Sequence, residues 1–427
     1  MDRKIYSEYV NILSEELVPA LGCTEPIAIA YCASLASSLL PSPVEKLSVS
    51  VSSNIIKNVK SVVVPNTKGQ KGIATAAAAG IIAGHSEREL EVLSSLTEED
   101  IPKIGEFLST HEVKVSTSPR PYIFSIIVEV SSAGHSALSE IAGDHTNVIR
   151  LVRDGVVLKD VPYEEKKLRG RENRNLLTIH DIVEFARSVK TDDVREILER
   201  QIEYNMAIAE EGLENDWGAN IGRILLSAYG NGVNNRAKAY AAAGSDARMN
   251  GSDRPVIINS GSGNQGITVS IPVIIYAEDM NASHDLLLRS LCVSNLVAIH
   301  IKSSIGALSA YCGATSAACG AAAGISFLYG GGEDEIAHAV VNSLAIESGM
   351  ICDGAKASCA AKIASAVEAG LLGFEMTRKG SEFHSGDGIV TKGVENTINN
   401  IVELATVGMK ETDRTIIGIM TKRREGC

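Results

Sequence analysis

The sequence predicts an α+β protein, with a large helical domain joined to a smaller α/β domain containing a mixed sheet. Strict apolar–polar alternation, as in Leu47-Ser-Val-Ser-Val-Ser52, is confined to the first part of the chain. Beyond the charged run Glu164–Arg171, apolar residues recur at helical spacing with few β-branched runs. Aromatics are only 4% against 38 glycines, so Ala, Ile, Leu and Val must fill the core. The resulting division is an N-terminal helical segment over 1–40 that packs on the helical domain, a small α/β domain over 41–165, and a helical domain over 166–427.

In chain order, Ile5, Val10, Ile12, Leu13 and Leu17 mark a helix over 3–18 that Pro19 ends. Cys23 follows in a loop, and Pro26 opens a second helix that runs to Leu40. Strands are read at 47–52, 61–65, 112–118, 122–132 and 147–159, with helices over 72–84 and 87–109 between them. Helices on one face of the sheet are the expected build. After the charged linker, helices are expected over 178–190, 191–214, 217–243, 282–310, 314–329, 333–348, 355–371 and 394–408. Residues 376–393, with Gly380, His384, Gly386 and Gly388, read as a loop.

Composition excludes some functions. A net charge of −12 argues against nucleic acid as a partner, because phosphate contacts need clustered Lys and Arg. The charged start Met1-Asp-Arg-Lys is no secretory signal, and no run of 18 apolar residues suggests a membrane span. Eight cysteines in a chain of this length then read as reduced thiols or metal ligands in the cytoplasm. The HExxH, GxSxG and Walker patterns are absent.

The chemistry concentrates in the cysteines, five of which lie between 292 and 359 in an Ala- and Gly-rich half. They are either a soft-metal site or small buried hydrophobes. A continuous helix would separate Cys352 and Cys359 by about 10 Å along its axis. One cluster therefore requires Cys352 in a loop, with Gly354 as the break and a helix starting near Ala355. Cys23, before a helix N-terminus, is either a lowered-pKa thiol or a buried loop residue. Lys57, Asn58, Asn66 and Thr67 gather around a turn and serve turn chemistry or a substrate carboxylate. The run Val256-Ile-Ile-Asn-Ser-Gly-Ser-Gly-Asn-Gln-Gly266 offers Ser260, Ser262 and Asn264 on a glycine-rich turn whose N–H groups could cradle an anion. His145 reads as a surface turn residue.

Three passages resemble the L-cysteine desulfidase family, relatives of the iron–sulfur L-serine dehydratases. They are Glu16-Leu-Val-Pro-Ala-Leu-Gly-Cys-Thr-Glu-Pro-Ile27, Lys57-Asn-Val with Val64-Pro-Asn-Thr and Gly72, and Gly349-Met-Ile-Cys-Asp-Gly-Ala-Lys356. The resemblance implies conversion of L-cysteine to pyruvate, ammonia and hydrogen sulfide. It implies one [4Fe–4S] cluster per chain on Cys312, Cys352 and Cys359, held in the helical domain, with Cys23 as base for the α-proton. Cys319 and Cys292 are the remaining thiols that could contribute to the cluster. Three thiolates leave one iron open as a Lewis acid. Asn58, Thr67, Ser260, Ser262, Asn264 and Lys356 are the candidate anchors for a small amino-acid substrate, and a homo-oligomer is compatible with all of this. Three alternatives stand beside that reading. One is L-serine dehydration by the same mechanism. Another is a pyridoxal-phosphate lyase using Lys57, and the third is a non-enzymatic amino-acid or redox sensor.

Overall fold

A six-stranded mixed sheet and a set of Ala-rich helices make up the two parts of the protein. The computed structural model describes residues 1–163, 172–306 and 308–421, so the charged linker 164–171 lies outside the described residues. The strand order is Glu112–Thr117, Lys46–Val51, Ser125–Ser132, His135–Ala142, Val148–Arg153, Val156–Asp160. Only the first pair is parallel. A parallel pair needs a long crossover, and here it contains the helices Ser53–Val59, Ile73–Ala83 and Asp100–Thr110. Helix Thr24–Ser38 packs on the two central strands and against Ile73–Ala83.

The first 40 residues therefore divide. Helix Arg3–Glu16 lies on the helical part, against His284–Ser303, whereas Thr24–Ser38 belongs to the sheet layer. Between them, Pro19–Leu21 pairs antiparallel with Pro255–Ile257 and stitches the two parts together. The stitch sets the Cys23 loop beside the glycine-rich turn at 259–266. Gly22 makes the corner with φ +58°, and a Cβ there would drive into the Pro65 ring. Gly22→Ala should cost about 1–2 kcal/mol from the left-handed backbone alone, with the clash adding to it. An unchanged thermal midpoint in that variant would contradict this reading of the corner.

Helix Gly313–Leu328 is the centre of the helical part, wrapped by Gly263–Asp279, His284–Ser303, Glu333–Ile346 and Cys359–Arg378. From Ala314 onward every residue of it is buried. Its Gly and Ala content is the reason: at Gly320 the backbone of Ser294 leaves no room for a Cβ. Close approach of this kind gives the dispersion contacts of a dense interior without aromatics. Among the described residues one helix, His284–Ser303, is long and apolar enough to cross a membrane, and 72% of its apolar window is buried inside the protein.

Several elements differ from expectation. Strand His135–Ala142 is unread in the sequence because, apart from Ile141, its residues lack β-branching and most are small or polar; paired strands on both sides hold it. Residues 61–65 form a single bridge, Val63 to Lys71, after an unread helix at 53–59. The helix expected over 87–109 is a 3₁₀ turn at Ser86–Glu91 and a helix at Asp100–Thr110. The segment 217–243 breaks at Gly230 into Ile221–Tyr229 and Val233–Met249. An unread C-terminal helix, Lys410–Thr421, delivers Asp413 to Lys57.

Candidate active site

Four helices begin at one pocket between the two parts. Cys23 is the N-cap of Thr24–Ser38, Ser262 of Gly263–Asp279 and Cys312 of Gly313–Leu328, while Cys359 is the first residue of Cys359–Arg378. The pocket, of about 100 Å³, is lined by Cys23, Cys312, Cys352 and Cys359 together with the polar side chains described below. Convergent helix N-termini give it a positive potential suited to anions and thiolates.

Cys352 lies in a loop, and Gly354 at φ +95° turns the chain so that Cys359 comes back to the same pocket. A Cβ at Gly354 would strike the carbonyl of Lys57, so the loop is clamped onto helix Ser53–Val59. The Cys312 thiol donates to Cys352 and, with the Lys57 and Lys302 ammoniums nearby, holds Cys352 well below the usual thiol range despite burial. Cys312 itself is raised by making that hydrogen bond and by burial. Burial also raises Cys359 and lowers Lys302 to about 8. Among the described residues no three His, Cys, Asp or Glu side chains are grouped tightly enough for a single ion. The donor set is instead three soft thiols facing one pocket with lysines beside them, a chemistry that fits an iron–sulfur cluster. Cys292 and Cys319 do not line it; they are packed in helices, with Cys292 pushed up to about 12 by burial.

Cys23 is 2% exposed, and its Sγ donates to Glu25 Oε2 at 3.1 Å. The expected lowering of its pKa by the helix N-terminus is reversed. Burial and the Glu25 charge raise it well above the ordinary thiol range, and Arg248 offsets only part of that. Burial also pushes Glu25 up, but His145 and hydrogen bonds from Cys23 and Asn58 more than compensate, so its carboxyl stays ionised below the usual range. Asn58 Nδ2 donates to Glu25 Oε1 at 2.8 Å, and Thr24 Oγ1 reaches Glu25 Oε2 at 3.2 Å. A neutral thiol is thus held on a buried carboxylate.

The remaining candidates separate. Asn58, Ser260, Ser262 and Asn264 line the pocket. Thr67 and Lys356 do not: the Thr67 hydroxyl closes its own turn onto Val64 O at 2.7 Å, and Lys356 Nζ is 2.5 Å from Asp353. Lys57 is buried against Asp413 at 2.7 Å and also lies outside the lining. His145, expected at the surface, is 3% exposed and lines the pocket edge-on to Phe124. Glu25, Arg248, Gln265 and Tyr311 were missed. Glu25 stood beside Cys23 in the quoted passage, whereas buried polar residues inside helices give no local signal. Asn58 Oδ1, His145 Nε2, Arg248 Nε and Gln265 Oε1 are buried here without a hydrogen-bond partner. Buried unpaired groups are rare in folded proteins, so this many around one cavity mark a binding site for something polar.

Comparison with known proteins places the chain in a family. A family model of the serine dehydratase alpha chain matches residues 87–418, a range that includes the three pocket thiols at 312, 352 and 359 but not Cys23. A UPF0597 protein of Desulfitobacterium hafniense (strain Y51) is 52% identical over 98% of this chain and 97% of its own length. Another, from Lachnoclostridium phytofermentans, is 50% identical over 97% of this chain and 100% of its own. A third, from Shewanella sp. (strain MR-7), is 37% identical over 98% and 99%. The chain belongs to the serine dehydratase alpha-chain family.

Proposed function

We propose that this protein is a lyase that eliminates the β-substituent of a small L-amino acid, with L-cysteine as substrate and pyruvate, ammonia and hydrogen sulfide as products. The observation that carries the reading is the Cys23 thiol held 3.1 Å from a buried, ionised Glu25 in the pocket that Cys312, Cys352 and Cys359 line. Those three cysteines would hold a [4Fe–4S] cluster, with Lys57, Lys302 and Lys362 offsetting their charge. When bound, such a cluster supplies a Lewis-acidic iron that draws charge from the leaving group.

The chain's own residues then account for the protons. Cys23 passes its proton to Glu25 Oε2 along the existing hydrogen bond, and the thiolate takes the α-proton of the substrate. The Cα–H electron pair forms the Cα=Cβ bond as the Cβ–S bond breaks. The proton on Glu25 leaves with hydrosulfide as H₂S, which restores the neutral Cys23 and ionised Glu25. Released aminoacrylate tautomerises and hydrolyses to pyruvate and ammonia. The raised thiol and the lowered carboxyl keep the proton on Cys23 at rest, so its transfer to Glu25 is uphill and is coupled to uptake of the α-proton.

L-serine dehydration is the second reading. The family match favours it, and the same residues would release water in place of H₂S. A pyridoxal-phosphate lyase on Lys57 has less support, since that amine is committed to Asp413 and to the Ser309 and Cys352 carbonyls. The test is anaerobic reconstitution, iron and acid-labile sulfide analysis, and a pyruvate assay with L-cysteine and L-serine. Iron-replete protein should favour cysteine. A preference for serine would transfer the assignment to the second reading, and pyruvate from neither would remove both.

A further inference from the structure

Arg248 has no place in the proton transfers above, yet it is 3% exposed and lines the same pocket. It comes from the last turn of helix Val233–Met249. A buried guanidinium without a hydrogen-bonded carboxylate is costly, and the hydrogen bond it makes, Nη1 to Asn264 Oδ1 at 3.1 Å, is to a neutral amide. Its Nε has no partner. The nearby acidic groups are Cys23, Glu25 and Cys359, none of them hydrogen-bonded to it. The guanidinium lies close against Gly263, where a Cβ would collide with Nε and Cζ. That position is the first residue of helix Gly263–Asp279, whose opening N–H groups have no side-chain cap from Ser262.

We propose that Arg248 and the N-terminus of helix Gly263–Asp279 form the site for the substrate's α-carboxylate, and that Arg248 is the residue selecting an α-amino acid over analogues that lack the carboxylate. This deepens the lyase reading and rests on it for the identity of the ligand. A planar guanidinium matches a carboxylate with two parallel N–H···O bonds, and a helix N-terminus adds free N–H donors. The unpaired acceptors Asn58 Oδ1 and Gln265 Oε1 line the same pocket and suit an ammonium group. Together they match the two charges of an amino acid.

The experiment measures calorimetric binding to the reconstituted full chain of L-alanine, which has no leaving group, and of L-alaninamide, which lacks the anion. Wild type should prefer L-alanine. Arg248→Gln should lose on the order of 10- to 100-fold in L-alanine affinity, the loss of a charge-assisted pair, and its preference should vanish. Arg248→Lys should recover part of both, and its folding is judged by its thermal midpoint. With L-cysteine the Gln variant should raise KM more than it lowers kcat. Should Arg248→Gln fail to fold, the wild-type preference and the Lys variant decide alone. Retained preference in the Gln variant, or none in wild type, overturns the anchor even if pyruvate is formed. Lost preference in a variant of a protein that never yields pyruvate keeps the anchor and removes the lyase reading.

Discussion

Cys23→Ala should lose roughly 10²–10⁴-fold in turnover, the usual contribution of a positioned general base, while keeping its iron. The thiol lines the pocket but hydrogen-bonds to Glu25, and the hydrogen-bonded thiol pair is Cys312 with Cys352. Removing Cys23 therefore leaves the cluster donors in place. In wild type, the raised pKa keeps Cys23 protonated at pH values where a free cysteine has begun to ionise. Its alkylation at neutral pH should be slow and should rise only at higher pH. Fast neutral alkylation at Cys23 would mean that Glu25 does not hold the thiol as described. Normal turnover in Cys23→Ala would shift the base to another pocket group, with His145 a candidate.

Cys352→Ser should lose most of its cluster iron. Of the three pocket thiols this one is held most readily as thiolate, by Cys312 and the Lys57 and Lys302 charges. A hydroxyl at that position would not ionise there, and the remaining two thiols rarely retain a labile cluster. Cys312→Ser and Cys359→Ser should follow, whereas Cys319→Ser should keep its iron because that thiol is packed inside helix Gly313–Leu328 and does not line the pocket. Full iron in Cys352→Ser, measured after anaerobic reconstitution, would refute the donor set.

What was legible in the chain follows from where the determining physics resides. Alternation at 47–52 and helical spacing beyond 172 are local patterns, and they place the sheet and most helices. The loop-then-helix course of 352–359 was readable because Gly354 and the thiol spacing constrain each other. Strand His135–Ala142 was not, since its pairing partners, rather than its residues, make it a strand. Arg248 looks like any helix-face cation until tertiary packing buries it against Gly263. The Cys23 environment shows a competition that sequence cannot resolve. A helix N-terminus lowers a thiol pKa, but burial beside an ionised Glu25 raises it more. Thr67 illustrates the reverse case, a polar residue near the site that only closes its own turn.

The measurement that bears most directly on the proton path uses L-cysteine labelled with deuterium at Cα, incubated anaerobically with reconstituted wild type and Cys23→Ala. Wild type should consume the substrate with a primary isotope effect and remove the label from Cα. The variant should bind the substrate, visible as a perturbed cluster spectrum, and leave the label in recovered cysteine. Loss of the Cα label in Cys23→Ala at the wild-type rate would contradict the account.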